Sequence, residues 1–292
     1  MKDIFRDKEI YLVVGLFLFV LFFAHIISPP NAFKEESILN IERGLSLNQV
    51  SDVLKNSNVI RSRVLFNTFV TLFGTQSGVK AGEYYLHYRE SVIRLAWRMV
   101  RGEHNIDEVK ITIPEGFDNT EIASLFDERF PLFNKKMFLD LGEQGHLFPD
   151  TYFMKVSVTA EKVVEILNSN FESKTLLFED KFDASKYSKE EIITMASLIE
   201  GEVQTKEDKE LVSGILWKRL SIGMALQVDS APITYDEPGL PKKPINNPGL
   251  VSIEAALSPK SSPYLYFISD KEGKTHYART LDEHIQNIKK YL

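Results

Sequence analysis

The stretch Ser188-Lys-Glu-Glu-Ile-Ile-Thr-Met-Ala-Ser-Leu-Ile-Glu-Gly-Glu-Val203 decides how this chain is read. Ser188 followed three residues later by Glu191 is a capping box, which marks the start of a helix. Ile192, Ala196, Ile199 and Val203 recur at helical spacing and predict a buried stripe. Glu200 and Glu202 fall on the two flanks of that stripe, about 200° apart around the axis, so they cannot face one cleft while the helix stays regular. A carboxylate at the margin of an apolar face is partly desolvated, which raises its pKa and lets it hold a proton near neutrality, as a general acid must. Taken alone, these residues favour the plainer reading of two solvated helix-end charges.

Outward from this helix, composition narrows the choices. A chain of 292 residues, 43% hydrophobic and 26% charged, suits one or two ordered domains and no long disordered tail. The net charge of −6 supplies no basic footprint, so a nucleic-acid partner has no support. Cysteine is absent, which removes disulfides, thiolate metal sites and cysteine nucleophiles together. Such a chain also tolerates an oxidising compartment. Ile10 to Ile27 (IYLVVGLFLFVLFFAHII) is long and apolar enough to cross a membrane. Lys2, Arg6 and Lys8 precede it and only Lys34 follows closely, so the positive-inside rule places the N-terminus in the cytoplasm and the remainder outside. No small-x-small cleavage site precedes Ser28-Pro-Pro30, which favours an uncleaved single-pass helix over a signal peptide.

The pattern divides into a cytoplasmic N-terminus over 1–9, a transmembrane helix over 10–27, a linker over 28–36, a small α+β unit over 37–104 and a larger α+β unit over 105–292. In the small unit, a strand near Ile38–Ile41 is followed by helices near 46–54 and 61–73, a strand over 81–86 and a helix over 91–100. Trp97 in that last helix reads as core. In the larger unit, Val109 to Pro114 alternates as a strand, and a helix capped from Asn119 follows. Helices over 158–171 and 211–220 flank the central helix. Pro232 to Gly249 reads as mostly loop, followed by a short helix over 252–257, a strand over 264–268 and a closing helix over 282–292.

The chemistry is narrowed first by exclusion. Six histidines lie without metal spacing, and neither a phosphate-binding glycine loop nor a dinucleotide fingerprint appears, so no metal and no cofactor is expected. Ser197 lacks a nucleophile-elbow context. What remains is a polar set in loops or at element ends: Glu115, Gln144, Asp150, Tyr152, Glu200, Glu202, Gln227, Asp229, Asn246, Asn247 and Glu254. Carboxylates, amides and aromatics of this kind line carbohydrate grooves, and they also decorate many ordinary surfaces.

Several segments together are specific: Ile113-Pro-Glu-Gly116, Leu147-Phe-Pro-Asp-Thr-Tyr152, Ala196-Ser-Leu-Ile-Glu-Gly-Glu202, Arg219-Leu-Ser-Ile-Gly-Met-Ala-Leu-Gln-Val-Asp229, Asn247-Pro-Gly-Leu250, Ile253-Glu-Ala-Ala-Leu257, Ser262-Pro-Tyr-Leu-Tyr-Phe267 and His276. In this order they resemble the endolytic murein transglycosylases, the MltG-like or YceG-like family. The resemblance implies a single-pass protein of the cytoplasmic (inner) membrane, with a LysM-like subdomain over 37–104 and a catalytic domain over 105–292. It implies non-hydrolytic cleavage of nascent peptidoglycan strands between N-acetylmuramic acid and N-acetylglucosamine, leaving 1,6-anhydromuramyl ends and limiting strand length. It implies penicillin-binding synthases as partners. Glu200 takes the family's acid position: it would protonate the leaving glycosidic oxygen, then accept the proton of the sugar's own 6-hydroxyl as that oxygen closes on C1. Glu202 would support it, and Gln144, Asp150, Tyr152, Gln227, Asp229 and Asn247 would support it or line the groove.

The chain departs from the family at three places. Gln144 stands where a glutamate is usual, Gly201 stands where a lysine is usual, and the segment after Asp229 is short, with Pro232-Ile-Thr-Tyr235 in place of a longer insertion. Two other readings compete. One is a catalytically impaired peptidoglycan-binding scaffold of the synthesis machinery, which the Gln144 and loop departures favour and the retained Glu200 opposes. The other is a soluble lyase for a small metabolite, which the apolar N-terminal run opposes.

Overall fold

A computed structural model of the chain describes residues 2–74, 78–104, 106 and 108–292, with backbone alone over 2–9. The charges of Lys2, Arg6 and Lys8 and the expected boundary at residue 105 therefore lie outside the described residues. The chain divides into two compact units, one comprising 1–108 with 155–157, the other 109–154 with 158–292.

In the first unit, helix α1 (Lys2–Ile27) contains the apolar span Ile10–Ile27, with a mean hydropathy of 2.7 and none of it buried against protein. A helix of that length and composition fits a single-pass membrane anchor. Beyond it come strand β1 (Ser37–Ile41), helices α2 (Leu47–Asn56) and α3 (Arg63–Phe73), strand β2 (Gly82–Leu86) and helix α4 (Val92–Arg101). Each helix begins on a serine that caps it: Ser46, Ser62 and Ser91. β1 and β2 pair antiparallel from Ser37↔Leu86 to Ile41↔Gly82, and the three helices close over them around Leu54, Phe66, Tyr84, Leu95 and Met99. The end of α1 is tied to this core. Ile27 packs against it, the Arg61 Nη2 donates to the Pro29 carbonyl at 3.1 Å, and the Arg89 Nη2 donates to the Pro30 carbonyl at 2.9 Å.

The second unit continues with β3 (Glu108–Thr112), α5 (Asn119–Asp127), α6 (Lys135–Leu141), β4 (Thr151–Lys155), α7 (Ala160–Thr175) and α8 (Glu179–Ala184). Helices α9 (Lys189–Glu202), α10 (Lys206–Ser221), α11 (Ile233–Asp236) and α12 (Leu250–Leu257) follow, then β5 (Tyr266–Ser269), β6 (Thr275–Ala278) and α13 (Leu281–Tyr291). β3 pairs with β4, and β5 with β6 antiparallel. One core gathers Phe126, Phe130, Phe133 and Phe138 against Leu147, Val163 and Leu167 beside the first pair. A second is built on α9, which packs against α12 and α10. The whole is a mixed α+β chain behind an N-terminal apolar helix.

The central helix differs from expectation in one respect. Its capping box is present, with Ser188 and Glu191 bonded reciprocally, yet all of Ile192 to Ile199 is buried rather than a single stripe. Ser197 can lie inside because its hydroxyl is satisfied there: the Oγ donates to the Thr194 carbonyl at 2.7 Å and accepts the Ile245 N–H at 3.0 Å. Three smaller differences follow from local contacts. Asp118, not Asn119, caps α5, because its carboxylate accepts the Glu121 N–H at 2.8 Å while the Asn119 amide is used elsewhere. Trp97 is 41% exposed, set edge-on to Phe73 with the Arg101 guanidinium 4.2 Å above its ring, so the cation rather than the core covers it. The 232–249 segment contains one turn of helix, α11, because the Thr234 hydroxyl holds the Val228 and Ala231 backbone.

Leu198 lies on α9 with no exposed surface. Leu198→Ala is expected to lower unfolding free energy by about 2–5 kcal/mol, a loss that urea titration of the full chain measures.

Candidate active site

Glu200 lies on the last turn of α9, where the helix leaves the core. Its side chain is 8% exposed, and both oxygens are occupied. Oε1 accepts from the Lys209 Nζ at 2.7 Å; Oε2 accepts from the Gly249 N–H at 2.9 Å and the Ser252 Oγ at 2.7 Å. Lys209 is itself 4% exposed, so the two form a buried ion pair. Gly249 is the N-cap of α12, so the carboxylate also meets the positive end of that helix. An acidic side chain half out of water was expected; this one is deeper and more fully bonded.

The second carboxylate at this place is Glu115, which lies in the loop after β3. Gly116 beside it takes φ +81°, a left-handed conformation that glycine adopts without strain, and its N–H donates to the Asn247 carbonyl at 3.1 Å. The turn lays the loop against Glu200: a Cβ added to Gly116 would stand 3.5 Å from the Glu200 Cγ. At Gly249 the backbone has φ −75°, open to any residue, but a Cβ there would overlap the Glu115 carboxylate. A side chain at 249 would push the Glu115 carboxyl aside, so glycine there leaves that carboxyl its place at the residue whose N–H holds Glu200. Burial of the Glu115 carboxyl end raises its pKa, the Glu200 charge raises it further, and Lys209 partly offsets both.

Asn247 locks the two loops together. It has no exposed surface; its Oδ1 accepts from the Gly145 N–H at 2.9 Å and the Leu147 N–H at 3.0 Å, and its Nδ2 donates to the Phe117 carbonyl and the Asn119 Oδ1, both at 3.0 Å. Gln144 works beside it, accepting the Asn119 N–H at 2.9 Å and donating to the Ile245 carbonyl at 2.8 Å. Both amides hold the frame around the Glu115–Glu200 pair, and their polar atoms are spent on backbone.

Glu202 faces different surroundings. It lines a cavity of about 540 Å³ with Gln227, Asp229, Ser230, Tyr235 and His284. Its Oε1 accepts the Ser230 N–H at 2.9 Å, and burial raises its pKa despite that bond. The Tyr235 hydroxyl donates to the Asp229 Oδ1 at 2.6 Å, which pushes the phenol up to about 12. Gln227 takes φ +48°, a strained backbone for a side-chain-bearing residue at the cavity wall. Gly201 has its own reason: a Cβ there would stand 2.6 Å from the Ser230 Cβ, so the short loop after Asp229 packs where a lysine side chain would begin. Asp150 and Tyr152 form a third cluster. Asn170 donates to the Asp150 Oδ2 at 3.3 Å and to the Tyr152 hydroxyl at 2.9 Å, and that hydroxyl donates to the Phe148 carbonyl at 2.6 Å. Burial raises the Asp150 pKa, but the Thr151 N–H, Asn170 and Lys174 outweigh it and hold the carboxyl below its usual range.

The expected residues therefore fall into three groups around Glu200, Glu202 and Asp150. Lys209, Gly249 and Ser252 were not singled out from sequence, and Glu115 was placed in the polar set without a role; the signal for it was Ile113-Pro-Glu-Gly116. Among the described residues, no group of three or more His, Asp or Glu is placed to hold a metal ion.

A buried carboxylate–ammonium pair with a second, more open carboxylate laid on it, behind an N-terminal apolar helix, is the arrangement that the fold presents. Residues 39–233 and 233–290 match the model of the YceG-like family, and the chain belongs to that family. It is similar to an endolytic murein transglycosylase of Bacillus subtilis (strain 168), 28% identical over 305 aligned residues that cover 87% of this chain and 84% of that one. It is also similar to an endolytic murein transglycosylase of Streptococcus pneumoniae (strain R6), 24% identical over 89% of this chain, and it spans 59% of that protein's length. In fold it is similar to the crystal structure of a yceG-like protein from Listeria monocytogenes, with a TM-score of 0.57 and 26% identity over 87% of this chain and 99% of that one.

Because burial raises the Glu202 pKa, folding favours its neutral form. That stability is complete below the ordinary glutamate pKa and is lost as pH rises through the raised value. Glu202→Gln keeps an acceptor for Ser230 and does not ionise. Its melting temperature should exceed that of the wild type by a margin that grows as pH rises above the ordinary glutamate pKa, read by thermal scans in a pH series.

Proposed function

We propose that this chain is a membrane-anchored lytic transglycosylase that cuts peptidoglycan glycan strands internally. The bond broken joins C1 of N-acetylmuramic acid to O4 of N-acetylglucosamine, and the 6-hydroxyl of the same muramyl residue closes on C1, leaving a 1,6-anhydro end without consuming water. Such a reaction needs one proton for the departing oxygen, one acceptor for the 6-hydroxyl proton, and negative charge near a C1 that becomes cationic. The nucleophile belongs to the substrate. We assign Glu200 as the catalytic carboxylate. The observation that carries the reading is the placement of its charge, fixed by Lys209, Gly249 and Ser252 at the mouth of a deeply packed helix, with a second carboxylate resting on it. Three donors hold that charge without further reorganisation, which is how electrostatic stabilisation of a transition state is built. The cavity bearing Glu202, Gln227 and Asp229 supplies polar groups for further saccharide contacts. The names of the Bacillus and Streptococcus relatives support the same reaction class.

The remaining assignments belong to the same proposal: residues 37–104 as a LysM-like glycan-holding subdomain, the N-terminus inside the cytoplasmic membrane with the catalytic domain outside, nascent strands as substrate, and penicillin-binding synthases as neighbours. A second reading, a catalytically impaired peptidoglycan-binding scaffold, draws on the full occupancy of both Glu200 oxygens. Mass analysis of soluble products from isolated sacculi separates the two: anhydromuropeptides support the enzyme, and retention on sacculi without product supports the scaffold.

Glu200→Gln should end release of anhydro products. It should also cost about 3–5 kcal/mol, because the buried Lys209 ammonium loses its counter-charge. Adding Lys209→Met should return most of that stability and none of the activity; a double variant with wild-type product yield would remove Glu200 from the mechanism. For topology, protease added outside intact spheroplasts should digest the chain beyond residue 30, and protection of that part would reverse the orientation.

A further inference from the structure

We infer that Glu115 is a catalytic residue of this site: its carboxyl group carries the proton that passes to the glycosidic oxygen and returns from the 6-hydroxyl, while Glu200 stays bonded and supplies charge. The inference rests on the transglycosylase reading and concerns how the proton moves within it.

The geometry divides the two roles. Glu200 has each oxygen engaged, one by the Lys209 ammonium and the other by two further donors, and 8% of its side chain is exposed. Three of its roughly four acceptor sites are taken, which leaves a substrate hydroxyl one at most, on Oε1 beside the Lys209 ammonium. Glu115 is exposed, accepts no protein hydrogen bond among the described residues, and has its carboxyl where a Cβ on Gly249 would go, at the residue whose N–H holds Glu200. The charged groups that act on it are Glu200 and Lys209. A carboxyl that is to hand over a proton needs a free oxygen within reach of substrate and a surrounding that favours its neutral form. Two glutamates that both meet Gly249, in unlike surroundings, are thereby sorted into a charged partner and a proton carrier, the pattern by which neighbouring carboxyls take separate roles. Two glycines keep the pair close: Gly116 by its left-handed turn against Glu200, and Gly249 by leaving room for the Glu115 carboxyl.

The step balances. The Glu115 O–H gives its proton to O4 of the departing N-acetylglucosamine as the C1–O4 bond breaks with both electrons going to oxygen. Positive charge at C1 builds opposite the Glu200 carboxylate. The muramyl O6 then bonds to C1, and its proton goes to the Glu115 carboxylate, which restores the acid for the next turnover.

The test uses the full chain in detergent with two substrates, an uncrosslinked glycan strand and an aryl glycoside of the N-acetylglucosaminyl–N-acetylmuramyl disaccharide, whose phenolate leaves without protonation. Glu115→Gln should lower turnover of the natural strand by about 10²–10⁴-fold, the range for loss of a general acid, with no fall in the melting temperature. On the aryl glycoside the same variant should lose less than about tenfold, because no acid is required to release the phenol. Glu200→Gln, which removes charge rather than the proton carrier, should be inactive on both. Full activity of Glu115→Gln on the natural strand would overturn the proposal, and so would equal loss on both substrates, which would mark Glu115 as a positioning residue. A wild-type chain that releases no anhydro ends from either substrate would instead sink the transglycosylase reading itself.

Discussion

The ion pair between Glu200 and Lys209 is the constraint on which the second unit's site depends. Two opposite charges almost wholly out of water are tolerable only when each is satisfied, and here the carboxylate draws on an ammonium, a helix N-terminus and a hydroxyl together. Meeting that demand brings the end of α9, the start of α10 and the start of α12 to one point. The loops that follow have little freedom left: Asn247 and Gln144 tie their amides to the chain around that point, Gly116 takes a left-handed backbone, and Gly249 leaves the space that the Glu115 carboxyl fills. A buried pair of this sort is weak evidence for stability in itself.

How legible this was in the sequence varied with the range of the interactions involved. Elements closed by local contacts could be read directly: Ser46, Ser91 and Ser188 announce their helices, and the apolar run over 10–27 is unmistakable. The burial of α9 on every side could not be read, because Thr194 and Ser197 look like a polar face until the Ile245 backbone is seen bonded to one of them. Glu200 stood out through its place in a motif, and about 200° of helix rotation correctly separated it from Glu202. Its partners did not, since Lys209 is one charge in a run of five charged residues in six, and Glu115 lies 85 positions upstream. The sense of Gly249 was hidden as well: an ordinary φ gives no reason for glycine until a carboxyl is found where its side chain would go.

Residues singled out together turned out to serve different ends. Asn247 and Gln144 are structural ties whose amide oxygens and nitrogens are bonded to the protein, while Glu202, Gln227 and Asp229 face a cavity of their own. The departures of the chain from its family acquire physical reasons in the same way. Ser230 occupies the space beside Gly201, so the short loop and the missing lysine are one packing change seen at two positions.

The clasp at the end of α1 carries a consequence for reach. Pro29 and Pro30 follow the apolar span almost at once, and Arg61 and Arg89 hold their carbonyls to the first unit's core. Three residues extend about 10 Å at most, so nothing resembling a leash separates the apolar helix from this unit's core. Whatever surface takes up that apolar helix therefore takes the first unit along with it, with almost no slack between the two.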